Sequence, residues 1–176
     1  MTPASRRCGV DRRTALVAFA LVGCGSAALA QALEPPLGPV LLTVGGRIAR
    51  ANAPGEARFD LPMLAALPQQ SFATRTPWYA TPRKFTGVRL RDLLAAAGAA
   101  DNDVRAIALN DYRADIPADD VRRGEVMVAY LLDDQPMAVR DKGPLVVIYP
   151  FDGRRELRTA VHYSRAVWQL HRIEVK

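Results

Sequence analysis

Gly143-Pro144-Leu145-Val146-Val147-Ile148-Tyr149-Pro150 holds five apolar residues in a row between two prolines. Apolar side chains without alternation belong to a strand buried on both faces, and Pro150, which lacks an N–H for the ladder, ends it. Working outward, Val126 to Leu132 predicts another strand, running into the turn Asp133-Asp134-Gln135-Pro136. Val104 to Leu109 alternates like a strand and opens into the loop Asn110-Asp111-Tyr112. Downstream, Phe151 to His162 is polar and arginine-rich, which predicts an exposed loop, and Gln169 to Val175 closes the chain as a strand. Leu90, Leu93, Leu94 and Ala97 have helical spacing, with Gly98 as the C-cap. Asp60 is placed to cap a short helix, Leu61 to Leu67, that accepts Pro62 in its first turn and stops at Pro68. Ser71 to Thr86 reads as strand-and-loop material, and Val40 to Ile48 as a strand with a Gly-Gly turn. About seven short strands with two or three short helices predict an α+β class: a compact, mixed, strand-rich single domain.

The 176 residues carry a net charge of +6, which raises the question of nucleic acid. Half of that excess sits in the first thirty residues, on Arg6, Arg7, Arg12 and Arg13 against Asp11. What remains is spread thinly and has no lysine-rich run, so nucleic-acid binding is excluded. Residues 1–30 have the three parts of an export signal: Arg12-Arg13, the apolar run Ala15 to Val22, and small residues ending Ala28-Leu29-Ala30. The run is shorter than the ~20 residues of a membrane-spanning helix. Two cleavage sites compete, one after Ala30 and one before Cys24, where Leu21-Val22-Gly23-Cys24 resembles a lipobox and would give a lipid anchor at Cys24. Arg12-Arg13 also fits a twin-arginine signal, although Thr14-Ala15-Leu16 is a poor continuation of one. Either way the expected location is the periplasm, free or anchored as a lipoprotein. Residues 31–39 form an extended, proline-containing lead-in, and 40–176 form the domain. Cys8 and Cys24 are the only cysteines, so the chain from Gln31 onward has neither a disulfide nor a thiolate ligand.

Enzyme motifs are sparse. His162 and His171 are the only histidines, and they have no soft ligand beside them. Asp119-Asp120 and Asp133-Asp134 read as turn or cap residues rather than the opposed acids of glycoside chemistry. The sequence contains no nucleophile-elbow serine, no phosphate-binding Gly-Lys-Ser loop and no dinucleotide fingerprint.

Three segments carry more. Thr74-Arg75-Thr76-Pro77-Trp78-Tyr79 leads to Phe85-Thr86-Gly87-Val88 and the Leu90 helix. Leu109-Asn110-Asp111-Tyr112 precedes Ile116-Pro117. The opening Gly143-Pro144-Leu145 strand is followed by Trp168-Gln169-Leu170 and Ile173. In this order, over roughly residues 40–175, they resemble the sulfite-oxidase-type molybdopterin-binding family. In molybdenum enzymes of that family a cysteine in the loop before the Trp holds the metal. Here Thr74 stands near that place, and a hydroxyl cannot replace a soft thiolate. The chain therefore resembles the small, exported, cofactor-stripped branch of the family, which includes pterin-binding regulators of membrane signalling proteins.

That resemblance implies a pterin, reduced or molybdopterin-like, as ligand, with molybdenum not expected. Trp78 and Tyr79 would stack on the ring. Asp111 would accept two hydrogen bonds from its guanine-like edge, or else only cap a turn. Tyr112 lies beside it, and Arg75, Arg113 and Arg140 are candidates for the carbonyl or a phosphate. Trp78 has a core role as its alternative, and Trp168, introducing the last strand, is assigned to the core. Three functions remain open: a non-catalytic regulator whose partner is the periplasmic domain of a membrane sensor (a cyclic-dinucleotide cyclase or phosphodiesterase, or a histidine kinase); a molybdopterin-dependent oxidoreductase; and an interaction module that keeps only the fold.

Overall fold

A computed structural model describes residues 33–99 and 102–176. The export signal, both cysteines and the two cleavage sites lie outside the described residues. The lead-in from Leu33 to Pro39 has no strand or helix. Asp60 ties it down: its Oδ2 accepts from the N–H groups of Leu37 (2.9 Å) and Gly38 (2.8 Å).

Two five-stranded sheets and four short α-helices make up the described chain. The first sheet contains β1 (Leu42–Gly46), β2 (Glu56–Phe59), β5 (Val104–Ala108), β6 (Arg113–Ile116) and β10 (Leu170–Val175), in the order β2-β1-β10-β5-β6. Only β1 and β10 pair parallel, Val44 opposite Ile173. The second contains β3 (Gln69–Thr76), β4 (Tyr79–Arg89), β7 (Met127–Leu132) and β8 (Gln135–Pro136) in that order, with β9 (Val146–Ile148) also paired to β7. The helices are α1 (Leu61–Ala66), α2 (Leu90–Ala96), α3 (Ala118–Arg123) and α4 (Ala160–Arg165).

Local chemistry explains most boundaries. Asp60 Oδ1 accepts from Met63 N–H at 3.0 Å, capping α1 as expected. Leu90, Leu93 and Leu94 of α2 are buried, and Gly98 follows at φ +69°, the left-handed geometry that ends a helix without steric cost. Ser71 to Thr86 is not irregular: β3 and β4 pair along their length, Phe72 opposite Phe85. Asp133 and Asp134 both have positive φ, the two-residue hairpin geometry, so Gln135 and Pro136 belong to a strand rather than to the turn. Gly87 has no room for a side chain, since a Cβ there would sit 2.1 Å from Val128 O across the β4–β7 ladder.

The segment expected to be an exposed loop needs correcting. Phe151 and Leu157 are buried, and the stretch ends inside α4, which contains His162. α4 buries none of its own residues, so it carries no apolar stripe for a sequence pattern to detect. Side-chain ties hold it instead. Arg165 Nη1 donates to Asp120 Oδ2 (2.8 Å), Tyr149 O–H donates to the same oxygen (3.0 Å), and Tyr112 O–H donates to Ser164 O (2.7 Å). One apolar core runs through both sheets and α2, from Leu42, Val44 and Phe59 to Phe85, Leu93, Val147 and Ile173.

Candidate functional site

Four chain segments converge where the two sheets meet. The β3–β4 turn brings Pro77 and Trp78, and the β5–β6 hairpin brings Ala108, Asn110 and Tyr112. α4 and its exit bring Tyr163, Ser164 and Ala166, and the approach to β10 brings Trp168 and Gln169. They enclose a cavity of about 470 Å³, within the range of small-molecule sites. Its walls are aromatic and hold one another edge-on: Trp78 packs against Trp168 at 5.1 Å and 82°, and against Tyr163 at 6.3 Å and 87°. Backbone bonds fix the seam, with Val147 N–H donating to Val167 O (2.8 Å) and Leu170 N–H to Leu145 O (2.9 Å).

Trp168 Nε1 and Thr76 Oγ1 are buried without a hydrogen-bond partner in the structure. Leaving such a group unsatisfied costs about 1–3 kcal/mol. Thr76 opens onto a second, smaller depression of about 320 Å³, lined also by Arg75, Asp152 and Arg158. It shares Pro77 and Tyr163 with the main cavity, so the two are neighbours in one cleft.

Of the residues singled out in the sequence, Trp78 and Tyr112 line the main cavity. Tyr79 does not: it packs against Trp168 (5.9 Å), and Arg83 lies 4.7 Å over its ring. Burial pushes its phenol above the ordinary value. Arg75 belongs to the smaller depression, where its backbone N–H donates to Asp152 Oδ2 at 2.8 Å. Asp111 is not brought to the cavity. It stands in the left-handed region, φ +62°, as the third of four residues between β5 and β6, and its side chain is 85% exposed. Arg113 pairs with it at 3.8 Å, outside the cavity lining. Arg140 is 88% exposed beside Asp141 and is not among the residues that line the cavity. Trp168, assigned to the core from sequence, packs against the core and walls the cavity as well. Asn110, Tyr163, Ser164 and Gln169 were missed. Asn110 stands in the very loop that drew attention to Asp111, and Gln169 directly follows Trp168.

The family model for the oxidoreductase molybdopterin binding domain matches residues 63–152. The chain belongs to that family. The match takes in the β3–β4 turn and the β5–β6 hairpin, and ends before α4 and Trp168. Among solved structures, the crystal structure of the sulfane dehydrogenase SoxCD from Paracoccus pantotrophus is similar, with a TM-score of 0.56 and 16% identity over 76% of this chain. The likeness is one of fold, and this domain spans 37% of that chain's length. The comparison with curated proteins finds no match.

The family's cofactor has two parts, and the residues treat them differently. The flat pterin suits a cavity with aromatic walls. The metal's thiolate has no counterpart among the described residues. Thr74 is fully buried, and its hydroxyl accepts from Asp152 N–H (3.0 Å) while donating to Arg75 O (3.3 Å). That side chain bolts β3 to the loop after β9, with its only proton already committed to Arg75 O. No group of three His, Cys, Asp or Glu side chains able to hold a metal exists among the described residues.

Proposed function

We propose that this chain is an exported pterin-binding protein that holds the ring without a catalytic metal and reports it to a membrane signalling receptor. The partner is the periplasmic domain of a cyclic-dinucleotide cyclase or phosphodiesterase, or of a histidine kinase. The observation that carries the reading is the aromatic cavity between the sheets, with Trp78, Tyr163 and Trp168 as its walls. The engaged hydroxyl of Thr74, near the place where the family's molybdenum enzymes carry the metal-holding cysteine, supports the metal-free part. Family membership supports the pterin.

The test is to release the ligand from purified protein by denaturation, read its fluorescence, and measure molybdenum by elemental analysis on the same sample. Stoichiometric pterin with substoichiometric molybdenum is the expected result. Stoichiometric molybdenum with sulfite- or sulfoxide-dependent turnover would overturn it in favour of an oxidoreductase.

A further inference from the structure

Two primary amides line the cavity, and the backbone dictates which way round each one sits. Gln169 is held in the left-handed region, φ +51°, where a residue with a side chain needs support. Its N–H donates to Lys142 O (3.0 Å), its carbonyl accepts from Leu109 N–H (2.9 Å), and its Nε2 donates to Val139 O (2.8 Å). A carbonyl can only accept, so the amide nitrogen must be the atom at Val139, and Oε1 remains as an acceptor. Asn110 is set the opposite way. Its Oδ1 accepts from Tyr112 N–H at 3.1 Å, and an N–H can only donate, so Nδ2 keeps its two protons for something else. The Leu109–Gln169 backbone bond ties the two loops side by side.

Two residues that line the cavity thus carry one preset acceptor and one preset donor, both uncharged, while the nearest carboxylate along the chain, that of Asp111, faces solvent. We propose that Asn110 and Gln169 determine ligand specificity by reading an uncharged lactam edge, an N–H donor beside a carbonyl acceptor. This rests on the pterin reading and deepens it. Gln169 Oε1 accepts from the ring N–H and Asn110 Nδ2 donates to the adjacent carbonyl, as in a 2-amino-4-oxopteridine. A 2,4-diaminopteridine has the same size and flatness but sets an amino group against the Asn110 amide, donor against donor.

Asn110→Asp isolates the effect. It retains a carboxylate oxygen for Tyr112 N–H and replaces the outward donor by an acceptor. Fluorescence titrations of the purified full chain, freed of ligand, with 2-amino-4-oxopteridine and 2,4-diaminopteridine give four dissociation constants. The wild type should favour the oxo compound by about tenfold or more, and Asn110→Asp should weaken that compound about ten- to a hundredfold and reverse the order. If the wild type binds the oxo compound and Asn110→Asp leaves the order unchanged, the edge reading falls while the pterin reading stands. If the wild type binds neither compound, the pterin reading falls and takes this inference with it. Should Asn110→Asp fail to fold, Asn110→Ser keeps a hydroxyl acceptor for Tyr112 N–H and removes the amide donor. Loss of discrimination in that variant supports the assignment, and undiminished discrimination overturns it.

Discussion

Trp78→Leu separates a binding wall from a core residue, and the geometry sets both magnitudes. Trp78 makes two edge contacts, with Trp168 at 5.1 Å and Tyr163 at 6.3 Å. Aromatic pairs contribute roughly 0.5–1.5 kcal/mol each beyond the area they bury, so losing two costs ~1–3 kcal/mol. In a domain of this size that lowers the melting temperature by about 3–9 °C. On the proposed pterin reading the indole is also a face for the ligand, and stacking of a base-like ring on an aromatic side chain is worth ~1–3 kcal/mol, or about five- to 150-fold in affinity. Calorimetric titration with a reduced pterin, alongside thermal melts, reads both quantities. Phe72→Leu is the control: it breaks the Phe72–Phe85 pair at 6.5 Å without touching a residue that lines the cavity, and should lower stability with affinity intact. A Trp78→Leu variant that melts earlier but binds as tightly as the wild type would refute the wall assignment and leave Trp78 a packing residue.

Asp111→Asn should leave both pterin affinity and melting temperature close to wild type, because the carboxylate faces solvent; a large loss of affinity in the same titration would return the residue to the site. Asp60 gives a pH prediction. The N–H groups of Met63, Gly38 and Leu37 hold its carboxyl below the ordinary range, so its contribution is complete above the unfolded value near ~3.9 and is lost as pH falls through the lower folded value. Asp60→Ala should therefore melt earlier than wild type at neutral pH, and the gap should narrow in melts taken below about pH 4.

The elements that were legible in the sequence are those whose side chains announce their surroundings. Leu90, Leu93 and Leu94 repeat at helical spacing because one face of α2 is buried, and Asp60 stands before Pro62 because a helix starts there. α4 was invisible for the complementary reason: its anchors, Asp120 and Tyr112, lie 45 and 52 residues away in sequence from their partners Arg165 and Ser164. In the site, Trp78 was legible as a large aromatic held by a preceding proline. Asp111 drew attention because it is charged, yet a left-handed turn decided where it points, and its neutral neighbour Asn110 reached the cavity. Gln169 was hidden by its place at a strand entrance, where its role depends on Leu109 and on Val139 and Lys142 from two other parts of the chain.

The parallel pairing of β1 with β10 bears on how this domain comes into being. β10 fills the gap between β1 and β5, so until its residues arrive the first sheet is two separate antiparallel pairs, β2-β1 and β5-β6. Both of its neighbours wait for the last strand, and Lys176 N–H still makes a bond to Asp103 O at 2.9 Å. Assembly of this sheet cannot advance steadily from one strand to the next. It closes only when β10 joins segments far apart in sequence, a slow route because distant segments must meet. A truncation before Leu170 should yield no smaller stable fragment, and the C-terminal strand is where a foreign peptide competing for that gap would trap the protein half-made.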